Sequence, residues 1–217
     1  MSKLTLIVGN KNYSSWSLRA WLALKATRAP FAEHLIPLYD GDWMTKIREH
    51  SPAGRVPVLE DGAITVWDSL AIGEYLAEKF PAAKLWPEDG AARAEARAVS
   101  AEMHSGFTAI RNELPMNLRK RVLGLELRPD TQAEVARICS MWEGLRRRHA
   151  SKGPFLFGQF SIADAMYTPV ATRFRTYGIK LPAACQAYAD HALGTPDMQE
   201  WQQAASAEPY AIAAYDR

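Results

Sequence analysis

Hydrophobic positions along the first eighty residues change period several times. Leu4, Leu6 and Val8 recur at every second position and predict a strand that Gly9-Asn10 stops. From Ser17 the spacing becomes helical: Leu18, Trp21, Leu22 and Lys25 share one face, with Lys25 as its snorkelling edge. His34-Leu35-Ile36-Pro37-Leu38 predicts a second strand, and Pro37 places it at a sheet edge because proline has no N–H for a ladder. Two apolar runs, Val56 to Glu60 and Ala63 to Trp67, flank Asp61-Gly62, the signature of a tight hairpin with a type I′ turn. A helix is predicted from Asp68-Ser69, with Ile72, Leu76 and Phe80 on one stripe.

Past Pro81 no strand pattern recurs. Leu85 to Gly90 has the proline, glycine and acid content of a linker. Beyond it, helical periods run over Ala91 to Glu113, Thr131 to Ala150, Ser161 to Tyr177 and Leu181 to His191, with no internal repeat. The expected organisation is an α/β N-terminal domain of thioredoxin-like type over residues 1–81, a linker at 82–90, and an all-α C-terminal domain over 91–217.

Composition narrows the function classes. Of 217 residues 48% are hydrophobic and 23% charged, which is globular rather than disordered. A net charge of +2 gives no basic face for a polyanion, so no nucleic-acid partner is expected. Two cysteines, Cys139 and Cys185, make neither a disulfide framework nor a C-x-x-C pair. The chain opens on Met-Ser-Lys without a cleavable leader pattern, and no apolar run approaches the ~18 residues of a membrane span, so a cytoplasmic protein with no membrane partner is expected. The five histidines lack metal-ligand spacing, and no metal site is expected. Arg146 to His149 complement a helix C-terminus, and the seven tryptophans are too dispersed for a stacking platform.

Four short motifs carry the candidate chemistry. In Phe155-Leu156-Phe157-Gly158-Gln159-Phe160-Ser161-Ile162-Ala163-Asp164, Ser161 and Asp164 have capping-box spacing, and Pro169 further on is expected to kink the helix they open. Asn12-Tyr13-Ser14-Ser15-Trp16-Ser17-Leu18-Arg19 closes a loop onto a helix start, where serines serve as N-caps or as donors to a bound anion. Arg55-Val56-Pro57 opens the hairpin, and Asp68-Ser69 opens the next helix.

Taken in order, these motifs resemble the cytosolic glutathione transferases over nearly the whole chain, and the S-S-x-S-x-R string is closest to the zeta class. The sequence departs from zeta in Trp16, where a cysteine usually sits, and in Ala20-Trp21, where Val-Arg follows. The resemblance implies glutathione as cosubstrate, with Ser14 or Ser15 hydrogen-bonded to its sulfur. The zeta pattern favours Ser14, and the S-x-x-x-R spacing of theta- and delta-like members favours Ser15. A free thiol has a pKa of ~8.5, which a hydroxyl donor and a helix N-terminus lower. It further implies a cis Val56–Pro57 bond whose exposed Val56 main chain pairs with the cysteinyl backbone of glutathione, Ser69 on the γ-glutamyl carboxylate, and Asp68, where Glu or Gln is usual, near its ammonium group. Lys46 and Arg48 could approach the glycyl carboxylate, though exposed helical cations there would look the same.

An electrophile pocket is expected near His104, Phe107, Thr108 and Arg111. Arg173 and Arg175 lie where zeta-type isomerases keep an arginine for an acidic substrate, but they read here as surface ion-pair donors. The function implied is a glutathione transferase acting as a homodimer on a small electrophile. Its rivals are a glutathione-dependent cis–trans isomerase, a peroxidase of the same fold, and a non-catalytic adaptor.

Overall fold

The computed structural model describes residues 4–216, so residues 1–3 and 217 of the expected domain limits lie outside it. Strand β1 (Leu4–Val8), helix α1 (Ser15–Ala26), strand β2 (Phe31–Leu35), helix α2 (Trp43–His50), strands β3 (Val58–Asp61) and β4 (Ile64–Val66) and helix α3 (Ser69–Lys79) form the α/β part. The sheet order is β2-β1-β3-β4, with β1 parallel to β2 and antiparallel to β3, and β3 antiparallel to β4. This is the expected thioredoxin-like arrangement. Helices α4 (Gly90–Ser105), α5 (Thr108–Glu113), α6 (Pro129–His149), α7 (Ile162–Thr176), α8 (Ala183–Gly194) and α9 (Pro196–Ala207) follow. None is long and apolar enough to cross a membrane.

Local physics explains each departure from the sequence expectations. β2 lies at the sheet edge as expected, but it ends at Leu35, before Pro37. Ile36 N–H still reaches Val8 O at 2.9 Å; Pro37 then has no donor, and Leu38 N–H turns to Asn10 Oδ1 at 2.7 Å. In the hairpin, Asp61 pairs with Ile64, so Gly62-Ala63 is the turn. Only Gly62 has positive φ, and a type I′ turn needs it at both central residues, so that turn does not form. Asp61 is held in the strand by the Tyr75 hydroxyl at 2.6 Å and by Lys79.

The single helix expected over Ala91 to Glu113 is two. Gly106 N–H closes α4 on Glu102 O, and Phe107 takes a left-handed φ of 58° with its ring buried. The restart is capped from a distance: Glu134 on α6 accepts the Ala109 and Ile110 N–H groups at 3.2 and 2.8 Å. α9 lies beyond the last helical period read from the sequence; Thr195 caps it and Pro196 occupies its first turn.

One apolar core runs through both halves, from Leu6 and Leu18 to Trp142 and Trp201. α1 is not amphipathic: it packs against both α3 and α7, and its residues Ser17 to Leu24 are all buried. α7 is buried from end to end and runs through Pro169 without ending; Thr172 Oγ1 and Arg173 Nη1 donate to the Pro169 carbonyl at 2.8 and 3.1 Å. Its start forms the capping box. Asp164 accepts the Ser161 N–H and hydroxyl at 2.9 and 3.0 Å and the Leu156 N–H at 2.9 Å. Burial nevertheless raises the Asp164 carboxyl to about 6.

Candidate functional site

Between β1 and α1 the chain makes a tight loop. Asn10 O accepts the N–H groups of Tyr13 and Ser14, and Glu208 accepts those of Lys11 and Asn12 at 2.7 and 3.2 Å. The buried Asn12 amide bonds Asn117 Oδ1 at 3.0 Å and accepts the Leu118 N–H at 2.9 Å. Tyr13 donates its hydroxyl to Asp216 at 2.8 Å. Side chains and backbone from the helical half therefore set the loop that presents the serines.

The two serines are both buried but differently engaged. Ser14 is the N-cap of α1: its Oγ accepts the Ser17 N–H at 3.3 Å, and its hydroxyl donates to Ser17 Oγ at 2.8 Å. Ser15 is the first helical residue, and its Oγ accepts from Arg173 Nη2 at 3.1 Å. Arg173 is 4% exposed, so it is no surface ion-pair donor; the expectation fails because every residue of α7 except Arg175 is buried. Its Nε donates to Leu114 O at 2.8 Å, and burial, reinforced by Arg111, pushes its pKa down to about 9. Arg175 likewise forms no ion pair among the described residues; it donates to Gln202 Oε1 at 2.7 Å.

Trp16 gathers the neighbouring groups. The guanidinium of Arg19 lies 4.5 Å and that of Arg111 4.8 Å from its ring centre, and the His104 ring stands edge-on at 5.3 Å. Arg19 is fully buried, and none of its three nitrogens has a hydrogen-bond partner. Burial first, then Arg111 and Arg173, hold its pKa well below the usual arginine value. Arg19, Arg111 and Arg173 form no ion pair with any carboxylate among the described residues. His104 Nε2 reaches Asp68 Oδ2 at 3.0 Å, while Asp68 Oδ1 caps α3 by accepting the Leu70 N–H at 3.0 Å.

Ser69, the first residue of α3, is buried with an unpartnered hydroxyl. Val56–Pro57 is cis and precedes β3, so neither residue has a ladder partner. Of the residues expected near an electrophile, His104 and Arg111 meet at Trp16, whereas Phe107 is in the core and Thr108 is exposed. Lys46 pairs with Asp42 at 2.8 Å, and Arg48 is exposed. The sequence reading missed the interdomain reach of Arg173 and the role of Trp16 as a hub. Among the described residues no group of three or more His, Cys, Asp or Glu side chains could hold a metal ion.

An α/β thioredoxin-like half carrying paired serines is joined to an all-helical half, and comparison with known proteins gives the family. The glutathione S-transferase N-terminal domain model matches residues 13–79 and the C-terminal domain model residues 93–201, so the chain belongs to the glutathione S-transferase family. It is 32% identical over 165 residues to a probable maleylacetoacetate isomerase of Caenorhabditis elegans, covering 74% of this chain and 75% of that one. Its fold matches a glutathione transferase homologue from Burkholderia GL BGR1, solved with bound glutathione, at a TM-score of 0.73 and 24% identity, covering 96% and 100% of the two chains. A maleyl pyruvate isomerase described as a zeta-class glutathione S-transferase matches at a TM-score of 0.70 and 20% identity, covering 96% and 100%. The resemblance to the superfamily, near its zeta class, stands.

Proposed function

We propose that the protein binds glutathione along α1 and α3, ionises its thiol at Ser15, and delivers the thiolate to a small electrophile. The observation that carries this reading is the unequal engagement of the two serines. Ser14 Oγ is engaged by both the N–H and the hydroxyl of Ser17, whereas Ser15 Oγ accepts from Arg173 and leaves its proton for a ligand. At the other end, the buried and unpartnered Ser69 hydroxyl at the α3 N-terminus suits the γ-glutamyl carboxylate, with Asp68 beside it for the ammonium group. The Val56 main chain, free of the sheet ladder, suits the cysteinyl backbone. His104 and Arg111, around Trp16, stand nearest as electrophile contacts.

A second reading within the family is glutathione-dependent isomerisation of an acidic substrate. The guanidinium groups of Arg19 and Arg111 over Trp16, without a carboxylate partner, favour it, as does the likeness to a probable maleylacetoacetate isomerase. Isomerisation leaves glutathione unconsumed and transfer consumes it, so thiol titration during turnover separates the two. The primary test is glutathione binding followed by ultraviolet thiolate absorbance of the complex across pH. Binding with ionisation below the ~8.5 of a free thiol is the expected outcome. Absence of binding overturns the reading in favour of an adaptor. We read the protein as a cytoplasmic homodimer, with residues 1–81 and 91–217 as its two domains.

A further inference from the structure

We propose that Arg173 is a positioning residue for thiolate formation: by donating to Ser15 Oγ from the helical half of the molecule, it fixes the serine hydroxyl as a donor toward the glutathione sulfur. The inference rests on the reading of Ser15 given above and extends it to a residue 158 positions away in the chain.

The geometry constrains both partners. Arg173 uses Nε on Leu114 O at 2.8 Å, Nη1 on Pro169 O at 3.1 Å and Nη2 on Ser15 Oγ at 3.1 Å. Leu114 is the C-terminal cap of α5, so its carbonyl is one that a helix end leaves without an internal partner. Three anchored nitrogens on a planar group leave the guanidinium one orientation. Ser15 Oγ is in turn committed as an acceptor on that side, and its O–H must rotate away from the guanidinium. A hydroxyl that accepts from a cation is also a stronger donor, because the first bond polarises the second.

Charge adds to orientation. Arg173 is buried, and its donor partners are two carbonyls and a hydroxyl, so no carboxylate neutralises it locally. A buried cation without a counter-ion favours an anion nearby, and a thiolate accepting from Ser15 is that anion. The thiol proton leaves to solvent, Ser15 keeps its own, and no covalent bond to carbon changes in this step. The three engaged nitrogens also argue that Arg173 acts through Ser15 rather than on a substrate carboxylate.

The test needs no electrophile. With the full-length protein saturated with glutathione, thiolate absorbance is measured across pH for wild type, Arg173→Met, Arg173→Lys, Ser15→Ala and the double variant Ser15→Ala/Arg173→Lys. Arg173→Met is expected to lower the thiolate fraction near neutral pH about tenfold, and Arg173→Lys about threefold, since lysine restores charge without the fixed fork. In the Ser15→Ala background, Arg173→Lys is expected to change the fraction by less than about twofold, because the route through Ser15 is already gone. Glutathione affinity at a pH where the thiol stays protonated should be unchanged. If Arg173→Met does not fold by circular dichroism, the lysine variant and the double variant decide.

Wild-type ionisation in Arg173→Lys and Arg173→Met overturns the inference, as does an equal loss with and without Ser15. A wild type that binds no glutathione overturns the reading of the site itself. That result is distinct from binding with ionisation indifferent to Arg173, which sinks the inference alone.

Discussion

The Ser14 hydroxyl donates to Ser17 Oγ across 2.8 Å, and Ser17 Oγ also accepts the Gly9 N–H at 3.0 Å. This small chain of hydroxyls stitches the end of β1 to the first turn of α1. Two adjacent serines are thereby engaged differently, Ser14 within its own loop and Ser15 by Arg173 of the helical half.

Substitution of each serine should show that difference. Ser14→Ala is expected to cost about 1 kcal/mol of stability through loss of the cap, with glutathione ionisation retained. Ser15→Ala should lower stability too, by about 1–3 kcal/mol, because Arg173 Nη2 loses its buried acceptor, and should also lower the thiolate fraction of bound glutathione at least about tenfold. Urea unfolding and thiolate absorbance on the same preparations check both.

Asp164 makes stability depend on pH in the direction opposite to a salt-bridged carboxylate. Burial raises it from an ordinary 3.8 to about 6, so the folded state holds the proton more tightly than the unfolded state. Its contribution is fully present below about pH 4 and is lost as pH rises through about 6. From pH 4 to pH 7 wild type should lose about 2 kcal/mol relative to Asp164→Asn, whose side chain does not titrate. A wild-type-minus-variant difference that stays flat from pH 4 to 7 in urea unfolding would count against this.

How much of this was readable from residues alone depends on whether the cause was local. The strand at Leu4–Val8, the helix cap at Asp68 and the Ser161–Asp164 box were legible, because each is set by neighbours within a few positions. The split between α4 and α5 was not. Gly106 inside an alanine-rich run looks tolerable, and the carboxylate that caps the restart, Glu134, lies on another helix. Arg173 was misread for the same reason. A cation near a helix end looks solvent-facing until the packing of α1, α5 and α7 closes around it.

Removing Glu208 tests whether the loop before the serines is held from a distance. In Glu208→Ala the Lys11 and Asn12 amides lose their acceptor, and their hydrogen-exchange protection should fall about tenfold, the equivalent of one net hydrogen bond each. Amides in the middle of β1 should be unaffected, as their partners lie in β2 and β3.

Light scattering should return twice the 24.2 kDa chain mass. The half-exposed Ile64 and Trp67, at the edge strand and just beyond it, are the apolar side chains such an assembly would cover. A monomer mass at micromolar concentration would remove the homodimer from the functional reading.

The loop at residues 10–13 is tied by Asn117, Glu208 and Asp216, none of which belongs to the strands and helices around it. During synthesis the sheet and α1 leave the ribosome early, whereas the residues that tie this loop are translated only after the sheet is complete. On the proposed reading of the serines, thiol activation is then a late event in the life of each molecule. A nascent chain can hold a nearly complete first half before its serine loop is tied, and a product stalled at that point is expected to lack the activity rather than act as a loose thiol-activating fragment.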